Sequence, residues 1–406
     1  MPMNNSPNTL NPRINKEVPI GLSGEIISKS QIAREFSWPK SDPRTEWQPT
    51  RTLVANDEAR ARLLSISPHF NLLTFLERTK NLDLISRIIE LLNHSAYQFN
   101  SRKIFRESTE WKKRIVKACA ENRPIEILIL AFCVISNPTK RVQSTNVTLA
   151  EDVSLLHMNQ IARHIEHIYP PGAIFQVISD STFYALPFGV TSVEAQSYIN
   201  QLRRRVGELQ ITDTIKILDI TDYLTEHNQF FQNRFTFWRK IFLASPVTNE
   251  LTANEYQRWH ASMRCSLNSR RMGFEYEQLA ILFSSYPDKS IDNLDELATV
   301  ALAEYRALKA AAADTEWENR YFPNAIRATI HSKKIPVLGL RLYPKYKLSS
   351  NLLPYHGIAV ISPGKNNECE QMVVQHEISV IGNPHYTKVI NENGITKFYE
   401  LTKPIQ

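Results

Sequence analysis

The run Ile125-Glu126-Ile127-Leu128-Ile129-Leu130-Ala131-Phe132, together with the loop and helix after it, decides the fold. It carries one charge and is otherwise apolar, the pattern of a strand buried on both faces of a parallel sheet. A polar loop comes next, Ser136-Asn137-Pro138-Thr139-Lys140-Arg141. Thr148, with Glu151 three residues on, then marks a helix start; in such a capping box each side chain satisfies an orphan amide of the first turn. Leu149, Val153, Leu156, Ile161, Ile165 and Ile168 give that helix one apolar stripe. Tyr169-Pro170-Pro171-Gly172 ends it, because proline cannot continue a helix. A second apolar run, Ile174-Phe175-Gln176-Val177-Ile178, finishes at Ser179-Asp180. The whole is a β-loop-α-β unit, and sheets built this way place ligands beyond the carboxyl ends of their strands.

Further out, residues 192–207 read as a helix and 214–218 as a third strand ending at Asp219. Strands alternating with helices at this spacing predict an α/β fold with a parallel sheet covered by helices. Residues 229–313 read as helices, and 293–313 most plainly, being rich in Ala, Leu and Glu. The strands expected at 326–331, 337–342, 357–362 and 371–375 are joined by loops too short for crossover helices, which predicts an antiparallel extension. Residues 56–120 recur at helical spacing, and 1–50 are rich in Asn, Pro, Ser and charge, the composition of a partly disordered tail.

Net charge is +7 over 406 residues and is dispersed, its densest patch being Arg203-Arg204-Arg205. Nucleic-acid readers concentrate basic charge on one face, so no nucleic-acid partner is expected. A weakly positive surface suits an enzyme whose substrate bears a phosphate or carboxylate. The four cysteines, Cys119, Cys133, Cys265 and Cys369, form no CxxC pair, so no structural zinc or redox dithiol is expected, and Cys133 reads as core. No basic-then-apolar leader and no membrane-length apolar run is present, and the expected setting is cytoplasmic, with no membrane partner. Neither GxGxxG nor GxxxxGK[ST] occurs, so no nucleotide cofactor is expected.

Several residues carry candidate chemistry. Lys140 and Arg141 could hold a phosphate dianion, although a solvated basic loop is the simpler account of their spacing. Asp180 could be a base or orient an amine, and could equally cap the next turn. Arg327, Thr329 and His331 alternate with Ile326, Ala328 and Ile330 and so share one strand face, either a cleft or solvent. His356 precedes Gly357, which permits close backbone approach. His157, His164 and His167 share a helix, but no carboxylate partner completes a metal site, and packed histidines are the better reading. Phe183, Tyr184, Tyr355 and Tyr386 could line a side-chain pocket, although aromatics are more often core. Without a GxSxG elbow, a serine hydrolase has no anchor.

Taken in order, Arg123-Pro124-Ile125, Ser136-Asn137-Pro138, Tyr169-Pro170-Pro171-Gly172-Ala173, Ile178-Ser179-Asp180, Phe188-Gly189-Val190, the segment 321–331, Leu353-Pro354-Tyr355-His356-Gly357 and Gly382-Asn383-Pro384-His385-Tyr386 resemble the isocyanide (isonitrile) synthase family, also called the pyoverdine/dityrosine biosynthesis family. The resemblance implies a Rossmann-like α/β core with a parallel sheet and flanking helices, to which the residue pattern adds an N-terminal helical region and a C-terminal antiparallel extension. The expected division is 1–50 as tail, 51–120 as helical region and 121–406 as catalytic domain, with a helical insertion around 229–313. It also implies conversion of an amino acid's α-amine, tyrosine or tryptophan in type, to an isocyanide. Ribulose 5-phosphate would be the carbon donor, with no metal or other cofactor. Asp180, His331 and His356 are then expected to move protons, and Lys140, Arg141, Arg327, Ser179 and Tyr355 to bind substrate. No fused oxygenase half is visible, so oxidative tailoring would fall to a separate enzyme.

The chain departs from the family pattern in places. Ser181-Thr182 stands where members usually have Gly-Arg, and Ala185-Leu186-Pro187 where an Asp often occurs. Thr139-Lys140-Arg141-Val142-Gln143 replaces a more regular Lys-Val-Leu-Gly. These departures leave two alternatives: a divergent enzyme using another amine or phosphosugar, or a non-catalytic ligand-binding homologue.

Overall fold

A computed structural model of the chain describes residues 48–52, 70–99, 109–133, 146–224, 228–247, 252–271, 286, 288–290, 292–330, 338–344, 352–362 and 371–401. Its strands are β1 (Thr50–Thr52), β2 (Ile125–Leu130), β3 (Ala173–Ser179), β4 (Ile215–Asp219), β5 (Ile326–Thr329), β6 (Leu338–Gly339), β7 (Ile358–Ser362), β8 (Gln371–Gln375), β9 (Tyr386–Ile390) and β10 (Thr396–Leu401). Its helices are α1 (Leu72–Thr79), α2 (Leu84–Leu92), α3 (Thr109–Ala120), α4 (Leu149–Glu166), α5 (Ser181–Tyr184), α6 (Ser192–Glu208), α7 (Thr221–Leu224), α8 (Asn228–Ala244), α9 (Ala253–Arg271), α10 (Leu294–Asp314) and α11 (Trp317–Tyr321).

The apolar run becomes β2, the middle strand of a wholly parallel sheet ordered β4-β3-β2-β5-β6. Ile127 pairs with Phe175 on one side and Ile326 on the other. The chain winds outward from β2 through β3 to β4, then returns to lay β5 against the opposite edge of β2. Strand order therefore reverses between β2 and β5, the topological switch point where doubly wound sheets open a crevice at their carboxyl ends. The Rossmann-like expectation holds.

α4 links β2 to β3 and lies between two sheets. Every residue from Leu149 to Met158 is buried, and the core around it takes in Ile127 and Val177 of one sheet and Ala359, Met372 and Phe398 of the other. Each fully buried Leu or Ile there contributes roughly 1.5–3 kcal/mol. The capping box forms: Glu151 accepts from the Thr148 amide at 3.0 Å and the Thr148 hydroxyl at 2.6 Å. Gly172 stops the loop after α4 at φ +68, a conformation that suits glycine.

The opposite face of the parallel sheet is covered from residues 229–313. Leu128 and Ile178 pack with Ala311 and Ala312 of α10 and with Trp317 and Phe322. His157 and His164 are packed as expected, among Phe70, Tyr97 and His94, with the Tyr97 hydroxyl 2.5 Å from His164 Nδ1. Among the described residues, no helix is long and apolar enough to cross a membrane.

The second sheet, ordered β1-β9-β10-β7-β8, holds the antiparallel extension in its β7–β8 and β9–β10 pairs; β10–β7 and β1–β9 are parallel. The extension starts later than the loop lengths suggested, because β5 and β6 join the parallel sheet. Their register is set by the burial of Ile326 and Ala328 beside β2. At the other end of the chain, β1 pairs with β9, and the buried Gln48 amide donates to Val380 O at 3.0 Å. Most of the expected tail, residues 1–47, lies outside the described residues.

Candidate active site

The carboxyl tips of β2 and β3 meet at the switch point. Beyond β2 the chain passes Ala131 and enters Phe132 at φ +65, a left-handed backbone that a bulky residue adopts only under strain of about 1–3 kcal/mol. The turn is held from β3: the Ser179 hydroxyl donates to Phe132 O at 2.9 Å, and both residues are fully buried. The next residues on each tip, Cys133 and Asp180, are buried and touch, the thiol hydrogen-bonding the carboxyl. Among the described residues, Asp180 Oδ1 has no hydrogen-bond partner. Burial pushes the Asp180 carboxyl up to about 6, against the pull of Cys133, Lys309 and Arg327. At neutral pH it is an ionised base with one oxygen unengaged, able to accept a proton from an amine placed against it.

Tyr355 closes the other side. Its ring lies 5.8 Å from that of Phe132, the main chain of Phe132 hydrogen-bonds its hydroxyl, and Asp180 adds to the burial that holds this phenol well above its ordinary range. His356 follows in the same tight turn (Pro354–His356), buried, its ring edge-on to Tyr355 at 4.7 Å. Gly357 then lets β7 lie against β8: a Cβ there would stand 2.3 Å from Gln375 O. The close approach expected of this glycine is real, and it fixes where Tyr355 and His356 sit.

Arg327 pairs in register with Leu128, which faces the α10 side of the sheet with Ile178. By strand rise it starts four residues, about 13 Å, behind the Asp180 tip. Its Nε meets Glu318 Oε2 at 2.8 Å and its Nη1 donates to Ala328 O at 2.7 Å, yet its charge still reaches Asp180. Ser179 spends its hydroxyl on Phe132. His331, Lys140 and Arg141 lie outside the described residues. The structure thus gathers Asp180, Ser179, Tyr355 and His356 at one place and brings Arg327 within electrostatic reach. Among the described residues, no group of three or more His, Cys, Asp or Glu side chains could hold a metal.

Three contributors were missed in the sequence. Cys133 reads as core, and it is indeed buried, but it lies just past the strand; the strand-end rule that flagged Asp180 applies to it equally. Lys309, exposed on α10, acts on Asp180 from a helix whose sequence looks only like a good helix former. The third is Tyr305 on α10, whose ring lies 4.9 Å from that of Tyr184, the pocket candidate on α5 that Asp180 raises further. Thr182 turns away, donating to Asp219 Oδ1 at 2.6 Å. Beyond it an open groove of about 880 Å³ follows α6, lined by Gln196, Asn200, Arg204 and Thr221 among others.

A family model described as "Pyoverdine/dityrosine biosynthesis protein" matches residues 115–380. An L-tyrosine isonitrile synthase from Xenorhabdus nematophila is 23% identical over 256 residues, covering 61% of this chain and 71% of its own. An L-tryptophan isonitrile synthase from Fischerella ambigua is 22% identical over 217 residues, 52% of this chain and 62% of its own. The crystal structure of the PvcA protein from Pseudomonas aeruginosa superposes with a TM-score of 0.56 at 21% identity, over 79% of this chain and 100% of that one, and so shares the fold.

Proposed function

The chain belongs to the pyoverdine/dityrosine biosynthesis family, and from that premise we propose that it is an isocyanide synthase. It converts the α-amino group of a tyrosine- or tryptophan-type amino acid to an isocyanide, with ribulose 5-phosphate supplying the carbon. The observation that carries this reading is Asp180: a buried carboxyl at the switch point with one oxygen unclaimed. The names of the relatives, both isonitrile synthases, support the reaction class.

In this reading Asp180 takes a proton from the substrate ammonium, freeing the amine to attack the sugar ketone. Water leaves as the imine forms. Later proton transfers precede carbon–carbon cleavage and loss of phosphate; His356 and His331 serve these steps, and Tyr355 borders the amine. Arg327 supplies positive charge near the tip, and Lys140 and Arg141 complete the anion clamp. The buried surroundings of Asp180 strengthen charge interactions there relative to water.

Thr182 favours a second reading. Where the family pattern has arginine, this residue gives its hydroxyl to Asp219, so one cationic contact is missing and a different phosphosugar or amine would fit. Purified protein incubated with tyrosine or tryptophan and ribulose 5-phosphate should yield an isocyanide detectable by mass spectrometry. If neither amino acid gives one, the first reading fails, and calorimetric binding of sugar phosphates then tests the second.

A further inference from the structure

Cys133 stands just past the carboxyl end of β2. A buried cysteine ordinarily behaves as a small hydrophobe, and this one does join the core cluster around α4. Three features set it apart. Phe132, immediately before it, is held in a left-handed turn, so the backbone is bent where a strand would otherwise run on. That turn is fastened by Ser179, the residue immediately before Asp180, so the two tips are tied together one step short of the thiol and the carboxyl. The thiol meets the carboxyl, while the other carboxyl oxygen is buried with no partner among the described residues.

We propose that Cys133 is the positioning residue of Asp180: its thiol holds one carboxyl oxygen and so fixes the direction in which the other meets the substrate amine. The assignment rests on Asp180 being the proton acceptor of the reaction proposed above. A carboxyl anchored at one oxygen cannot rotate freely about its Cβ–Cγ bond, so the unclaimed lone pairs keep one orientation. An approaching ammonium then finds its acceptor already aligned, which is how a supporting residue contributes to a precise site. A thiol is a weak donor, and that weakness matters. It orders the carboxyl while drawing off less of its basicity than a directly paired guanidinium would.

The other groups facing Asp180 do not replace this contact. Lys309 from α10 and Arg327 from β5 act on it through charge alone. Tyr184 from α5 and Tyr355 from the 354–356 turn are themselves raised by its presence. Removing the thiol should therefore leave the carboxylate less stabilised, and Asp180 should titrate higher.

Infrared spectroscopy tests the contact without any turnover. The S–H stretching band of Cys133, assigned by subtracting the spectrum of Cys133→Ser, should move to lower wavenumber as the carboxyl ionises, with a midpoint near pH 6. The movement should vanish in Asp180→Asn. A Cys133 band that stays fixed through that range overturns the proposal. Kinetics test the consequence: in Cys133→Ala the acid limb of kcat/KM should rise by roughly half to one pH unit and kcat should fall several-fold with KM for the amino acid little changed. Cys133→Ser, which keeps a donor, should restore both. An unshifted limb in the alanine variant overturns the positioning role. Should the wild-type protein form no isocyanide at all, the functional reading falls, and the infrared titration alone then decides whether Cys133 holds Asp180.

Discussion

Asp152 and Asp180 are both buried carboxylates, and their surroundings could hardly differ more. Asp152, on α4 between the two sheets, is gripped at both oxygens by Arg205 Nε and Nη2 at 2.8 and 2.9 Å. Its neighbour Glu151 takes the Thr148 amide and hydroxyl on one oxygen and the Tyr198 hydroxyl, at 2.9 Å, on the other. Lys397 adds charge nearby and donates to Val147 O at 2.8 Å. Asp180 has one thiol and an empty oxygen. Burial pushes both aspartates upward; Arg205 offsets the rise at Asp152 through direct hydrogen bonds, whereas Lys309 and Arg327 act on Asp180 through charge alone. A fully satisfied buried network specifies structure; a half-satisfied one persists where a ligand completes it.

The largest effect expected from this contrast is on catalysis. Asp180→Asn keeps the shape and removes the base, so kcat/KM should drop by about 10²- to 10⁴-fold while the protein stays folded. A variant retaining near-normal turnover would strip Asp180 of its role. Next comes Arg205→Ala, which leaves Asp152 buried without its partner. Breaking such a pair costs about 3–5 kcal/mol, read as a lower urea midpoint, with turnover per folded molecule unchanged. If Arg205→Ala unfolds no more easily than wild type, the network around α4 is not what secures the two sheets.

The pH dependence of stability separates the two carboxylates further. Asp180 moves from an ordinary value of 3.8 to about 6 on folding. The folded state therefore holds this proton more tightly than the unfolded chain. The stabilisation is complete below about pH 4 and is lost as pH rises through 6. At about 1.4 kcal/mol per unit, Asp180→Asn should be more stable than wild type by roughly 2–3 kcal/mol near pH 7, and the advantage should disappear in acid. His157, pushed down to about 3 by burial, works in the opposite direction, losing stability as pH falls below its unfolded value. The difference between variant and wild type isolates the aspartate, because the histidine contributes equally to both. An advantage that persists in acid would mean that Asp180 is not a strained, functional carboxyl.

The parallel sheet was legible because its signals are local. The apolar run at 125–132, the Thr148/Glu151 capping box and the Tyr169–Gly172 stop all became what they announce. Asp180 was legible for the same reason, as the residue at a strand end. Cys133 stands at a strand end too, but a thiol closing an apolar run reads as core, and nothing local marks the left-handed Phe132 beside it. Lys309 was hidden by distance: nothing in α10 says which strand tip it overlooks. β5 was misassigned to the antiparallel part because pairing partners are set by packing with β2, more than 190 residues earlier, and short loops alone do not reveal that. His331, Lys140 and Arg141 lie outside the described residues.

The smallest expected effect concerns the cation that Asp180 feels only from a distance. Arg327 and Glu318 form an ion pair with side chains 36% and 34% exposed, and a pair that wet contributes about 0–1 kcal/mol to stability. Glu318→Gln should therefore leave the unfolding midpoint almost where it was. The consequence at the tip has a definite sign. With its counter-charge gone, Arg327 exerts a fuller positive potential, the ionised Asp180 is favoured, and the acid limb of kcat/KM moves down by roughly 0.2–0.3 of a pH unit. The same change should lower KM for the sugar phosphate, because Arg327 becomes freer to meet an anion. Raising salt should erase the KM gain, which is carried through solvent, before it erases the shift at the buried carboxyl. A limb that moves upward instead would show that Glu318 keeps Arg327 pointed at the site, making the ion pair part of the anion clamp and not a restraint on it.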